Sequence, residues 1–185
     1  MMKSSTLAGI VSLIALVATM LGIVSAYDAS PSLATLERAA RAYEYRQAGY
    51  HTHGGNDRYW QVRELEVTGQ LYLGVTIAYG QPHMGAVGTS QFGSRAIVIS
   101  EKLTWNERLE VLAHELGHIL MPRSLTASQG EVFAEGVSYL VSHRMGHHSL
   151  DVHARYLAQH KPSLHVLTDY AMEIRWAAGV LTPGS

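Results

Sequence analysis

The stretch from Thr104 to Pro122 constrains the fold of this chain more than any other. Thr104-Trp105-Asn106-Glu107 is a capping box, in which the threonine hydroxyl accepts from the Glu107 amide while the glutamate side chain reaches back. Pro122 forbids continuation, so a helix is predicted from the cap to about Leu120. Leu109, Val111, Leu112, Leu116, Ile119 and Leu120 give it an apolar side and hence a packing reason to be fixed. On this helix stands His114-Glu115-Leu116-Gly117-His118, an H-E-x-x-H sequence. Residues four apart face the same way, with Cβ atoms about 5–6 Å apart. Two imidazoles so placed bind one zinc ion through nitrogen. Glu115, one step round the helix, is placed to take a proton from water at such an ion.

A catalytic zinc needs a third protein ligand. The chain has no cysteine, which excludes thiolate sites and any disulfide framework and leaves His and carboxylate as donors. A second helix is predicted from roughly Ser128 to Met145, with Gly146 at its exit, and it offers Glu131 and Glu135, four apart on one face. Two readings stand open. Ser128-Gln129-Gly130-Glu131 is itself a capping-box pattern, which would tie Glu131 to the helix start and leave Glu135 as ligand. Otherwise Glu131 is the ligand.

Here the chain resembles the gluzincin class of zinc metallopeptidases. In that class the ligand glutamate lies on the helix after H-E-x-x-H, and an acidic residue four positions later orients a ligand histidine. The pattern E-x-x-A-[D/E] is met by Glu131-Val132-Phe133-Ala134-Glu135. The likeness is to short single-domain metallopeptidases of the ImmA/IrrE and antirestriction-associated types, and covers roughly Ala96 to Leu181. It implies a zincin-like helical core, with His114, His118 and Glu131 as zinc ligands and Glu135 as the orienting partner. One departure is the short link, with twelve residues between His118 and Glu131.

The activity implied is hydrolysis of peptide bonds in a protein or peptide substrate, with Glu115 as general base. The developing oxyanion needs a further donor. His83, Tyr139, His153, Tyr156 and His165 are candidates, and Tyr156 is preferred because Arg155-Tyr156-Leu157-Ala158 lies within the region of likeness. The alternative is a zinc-containing binding or regulatory module without hydrolysis, which has no need of a general base at Glu115. A DNA-associated regulator, suggested by the relatives, is opposed by the absence of any run of Lys or Arg, so no nucleic-acid partner is expected.

The 185 residues, 47% hydrophobic and 16% charged, describe a globular chain. Met1-Met2-Lys3, the apolar stretch Leu7 to Val24 and Val24-Ser25-Ala26 read as a basic n-region, an h-region and a cleavage site after Ala26. Residues 1–26 are thus a signal peptide, or an uncleaved membrane anchor through residues 7–24, ahead of one domain over 27–185. Either way the protein is expected to be secreted or to face outward from a membrane.

Ser32 to Tyr45, with Pro31 at its start and Leu33, Leu36, Ala40 and Tyr43 at helical spacing, reads as a helix. Gly49 to Asp57 reads as a loop, and its His51-Thr52-His53 is too short and Gly-flanked for a second metal site. Leu71 to Tyr79 and Ala96 to Ile99 have strand composition, separated by a connection with Pro82, His83 and Gly85. The fold predicted is α+β, a small antiparallel sheet on the helical core. Its edge near Gly85 to Ile99 is able to pair with an extended peptide. A last helix is predicted from Leu164 to Ala178. His143, His147 and His148 are expected to meet helix C-terminal carbonyls or solvent.

Overall fold

In the computed structural model, which describes residues 32–42, 58–91 and 93–183, the helix carrying the two histidines is the centre of the fold. It runs over Trp105–Leu120, after helices α1 (Leu33–Ala42) and α2 (Tyr59–Leu73) and strands β1 (Thr76–Gly80), β2 (Gly88–Gln91) and β3 (Ala96–Ser100), and is called α3. Then come α4 (Ala127–Arg144), α5 (Leu150–Leu157), a 3-10 segment (Ala158–Ser163), α6 (Val166–Asp169) and α7 (Ala171–Leu181). The fold is α+β, a small sheet on a helical core. The expected leader 1–26, the last residues of the first predicted helix (43–45), the expected loop from Gly49 to Asp57 and the pair His51 and His53 lie outside the described residues. Among the described residues no helix is long and apolar enough to cross a membrane.

Helix α3 starts where its capping box demands. The Glu107 amide donates to Thr104 Oγ1 at 3.4 Å, and the Thr104 amide donates to Glu107 Oε2 at 2.8 Å. Every residue from Leu109 to Gly117 is buried, because the sheet, α2 and α4 cover different sides of the helix. Helix α4 is capped by Thr126 and Gln129: the Gln129 amide donates to Thr126 Oγ1, and the Thr126 amide to Gln129 Oε1. The box formed lies two residues before the Ser128–Glu131 pattern, and Ser128 is inside the helix. Glu131 is therefore not spent on capping. Ser138 Oγ donates to the Glu110 carbonyl at 2.8 Å, while Gly117 faces Ala134, so α3 and α4 run antiparallel as a hairpin.

The sheet is mixed, which corrects the antiparallel expectation. Its order is β1-β3-β2, with β1 parallel to β3 and β2 antiparallel to it. The chain between β1 and β3 is long enough to cross over and lay β2 on the far side, so it need not reverse as a hairpin. β2 went unforeseen because Gly88-Thr89-Ser90-Gln91 holds only one β-branched residue. Ile97 and Ile99 alternate into the core along β3.

Leu71-Tyr72-Leu73 ends α2 and does not begin a strand. Gly74, at φ 62°, closes that helix by donating to the Gly69 carbonyl, and the extended chain starts only after it. Val62, Leu65, Glu66 and Gly69 form the buried helical face, while Leu71 and Tyr72 are exposed. The final predicted helix is two pieces, α6 and α7, divided at Tyr170. Helix α5, absent from the sequence reading, packs on both α1 and α4.

Candidate metal centre

Three metal-ligating side chains from the α3–α4 hairpin converge on one point. His114 Nε2 lies 3.1 Å from His118 Nε2 and 3.4 Å from Glu131 Oε2, and His118 Nε2 lies 3.5 Å from Glu131 Oε1. Four ligands placed tetrahedrally about zinc at about 2.0–2.1 Å stand roughly 3.3 Å from one another. The two imidazole nitrogens and the Glu131 carboxylate, which meets each of them through a different oxygen, lie near that spacing, so the residues present fit a zinc ion. The closeness has a backbone cause. A Cβ on Gly117 would stand 2.9 Å from Ala134 Cα, so the helices touch backbone to backbone between the histidines and the glutamate.

Glu135, one turn beyond Glu131, is 1% exposed and sits behind His114. The His114 Nδ1–H donates to Glu135 Oε2 at 2.7 Å, which leaves Nε2 directed at the other donors. Helix α5 then holds both carboxylates from the far side. Tyr156 Oη donates to Glu131 Oε2 at 2.6 Å, and His153 Nδ1–H donates to Glu135 Oε1 at 2.7 Å. Two residues three apart on α5 thus engage two residues four apart on α4.

The electrostatics favour a positive charge at this point. Burial works against a charged His114, but hydrogen bonds to Glu131 and Glu135 outweigh it and push its pKa up to about 10. Burial likewise opposes ionisation of Glu131, yet His114, His118 and Tyr156 hold its carboxyl far below the usual range. Glu135, against the same burial, is held down to about 2 by His153 and His114. Burial and the neighbouring carboxylates raise the Tyr156 phenol well above its ordinary value, so it is a donor throughout the ordinary pH range. A pocket that keeps a proton on a buried imidazole between carboxylates is one that also favours a metal cation.

The donors open into a cleft of about 660 Å³, lined by β2 on one side and by α3, α4 and Tyr156 on the other. Glu115 is 7% exposed and lines this cleft beside the histidines. Its carboxylate lies against Gly88, where an added Cβ would stand 2.8 Å from Glu115 Oε1 and 2.5 Å from Val111 Cγ1. Gly88 is thus glycine because the edge strand passes directly over the glutamate. Among the described residues β2 pairs only with β3, and Gly88, Thr89 and Ser90 line the cleft.

Of the five oxyanion candidates, only Tyr156 lines the cleft. His83 and His165 are exposed, the latter near the Pro162 carbonyl; Tyr139 is buried against His153, and His153 is committed to Glu135. His143 and His148 stack edge to face, with ring centroids 4.2 Å apart. His147 departs from expectation: its Nε2 lies 3.0 Å from Glu110 Oε1 and not on a helix carbonyl. The sequence reading missed the buried group Glu110, His147, Ser149 and His153. Glu110 carried a usable signal, since it stands four residues before His114 on the same side of α3. Compared with protein-family models, curated proteins and solved structures, the chain gave no match.

Proposed function

We propose that this protein is a zinc-dependent peptidase that cleaves peptide bonds in an extended substrate. The observation that carries this reading is the convergence of His114, His118 and Glu131 donor atoms at 3.1–3.5 Å in a cleft that also holds Glu115. The likeness of H-E-x-x-H and E-x-x-A-E to the gluzincins, and to ImmA/IrrE-type and antirestriction-associated peptidases in particular, supports it further.

Zinc bound by these three residues supplies Lewis acidity toward water and toward a peptide carbonyl. The residues of the chain do the rest. The edge of β2 that pairs with no strand among the described residues holds the substrate backbone as an added strand across the cleft. Glu115 takes a proton from the attacking water as the new C–O bond forms. It then gives that proton to the amine nitrogen as the C–N bond breaks. The Tyr156 hydroxyl, at the same cleft, turns from Glu131 to donate to the carbonyl oxygen as negative charge builds there. The apolar stretch Leu7 to Val24 directs this activity outside the cytoplasm.

The test is metal analysis of the purified protein together with hydrolysis of casein or a peptide library. Zinc near one equivalent and cleavage that vanishes in Glu115→Gln, with the metal retained, are the expected results. Zinc bound without any hydrolysis by wild type leaves a binding module and removes the peptidase.

A further inference from the structure

Behind the proposed ligands lies a second buried set of charged groups that metal binding and peptide hydrolysis do not directly use. His153 on α5 is fully buried between two carboxylates. Its Nδ1–H donates to Glu135 Oε1 at 2.7 Å, and its Nε2, which has no hydrogen-bond partner among the described residues, faces Glu110 Oε1 at 3.9 Å. Glu110, also fully buried, accepts from Ser149 Oγ and from His147 Nε2 at 3.0 Å. The sequence of contacts runs His114, Glu135, His153, Glu110, His147, and spans α3, α4, α5 and the link between the last two.

Such a chain is costly to bury unless its charges alternate. Burial opposes a charge on His153, but Glu135 and Glu110 raise its pKa against that burial. A cation there balances Glu135 on one side and Glu110 on the other. It also divides the labour of Glu135: with Oε1 occupied by His153, Oε2 has only His114 to serve. We propose that His153, braced by Glu110, is a positioning residue that fixes Glu135 against His114 and so sets the zinc affinity of the site. This inference rests on the metal reading of His114, His118 and Glu131.

Zinc affinity of the full chain, measured by chelator competition, tests it. His153→Gln, whose amide stands near the Nε2 position and leaves Glu135 unserved, is expected to weaken zinc binding about tenfold or more. His153→Asn puts an amide N–H where Nδ1 was and is expected to restore most of that loss. In a Glu135→Gln background the same His153→Gln change is expected to alter affinity by less than about twofold, because its effect passes through Glu135. A folded His153→Gln protein with wild-type affinity overturns the proposal, as does an equal loss in both backgrounds. Nitrogen NMR of zinc-loaded wild type needs no variant: a proton on His153 Nδ1 is expected, and its absence overturns the proposal too. Failure of the wild type itself to bind zinc removes the metal reading and this inference together, whereas wild-type binding with an indifferent His153 removes only the latter.

Discussion

Gly117 of α3 packs directly on the backbone of Ala134 in α4, with room at Gly117 for a hydrogen and nothing larger. The atoms in the way are Ala134 Cα and carbonyl oxygen, at 2.9 and 3.1 Å, so no side chain is able to turn aside. Gly117→Ala is expected to force the helices apart at a cost of about 1–3 kcal/mol. Thermal unfolding of the metal-free protein reads that cost. Chelator competition on the same sample is expected to show weaker zinc binding, since Glu131 recedes from both histidines.

Glu131 and Glu135 are expected to part company on alanine substitution. Glu131→Ala removes one of three donors and is expected to abolish stoichiometric zinc. Glu135→Ala leaves all three and is expected to weaken binding by about 10–100-fold. Metal content after dialysis against a weak chelator separates them. Zinc lost only from Glu135→Ala would falsify the ligand assignment.

The protonation of His114 sets the pH behaviour. Its pKa in the metal-free protein is raised from 6.5 to about 10, so its contribution to stability is fully present below pH 6.5 and is lost as pH climbs through about 10. Glu135 has the opposite sign: its pKa is lowered, so its contribution is present above about 4.5 and disappears as pH falls through about 2. Zinc binding must displace the His114 proton. Calorimetry at pH 7 in buffers of different ionisation enthalpy is expected to register release of about one proton per zinc, with affinity rising about tenfold per pH unit. Binding without proton release contradicts this.

Tyr156→Phe separates two roles of one hydroxyl. As the oxyanion donor it is expected to cost about 10²–10³ in kcat, with KM and zinc affinity nearly unchanged. A variant that keeps kcat at saturating zinc but binds zinc more weakly instead shows that its bond to Glu131 is what matters.

Gly88→Ala is expected to act on Glu115 without touching the metal. Its methyl group meets the Glu115 side chain and Val111. Peptidase activity is expected to fall at least about tenfold, the scale set by a displaced general base, while zinc content stays at wild type. Equal loss of both indicates collapse of the edge strand.

The α3–α4 hairpin was legible in the sequence because its signals are local. Thr104 and Glu107 fix one end, Pro122 the other, and the four-residue spacing of His114 and His118 does the rest. The cap of α4 stays open in the sequence because Ser128–Glu131 satisfies the box pattern as well as Thr126–Gln129 does, and tertiary placement chooses between them. The sheet was only half legible. Leu71 to Tyr79 reads as one apolar run, and the αL turn at Gly74 that splits it into helix and strand leaves no trace in periodicity. The Glu110–His153–Glu135 contacts join residues far apart in sequence, and no spacing rule reaches them.

All three proposed donors fall within residues 114–131, on either side of a single short turn. The chain entropy of bringing them together is that of closing one small loop. The proposed cation would act there as a clasp on a hairpin that also lines the cleft. Order imposed by the proposed ion would reach the sheet through α3 and helix α7 through α4, elements that contribute no donor themselves.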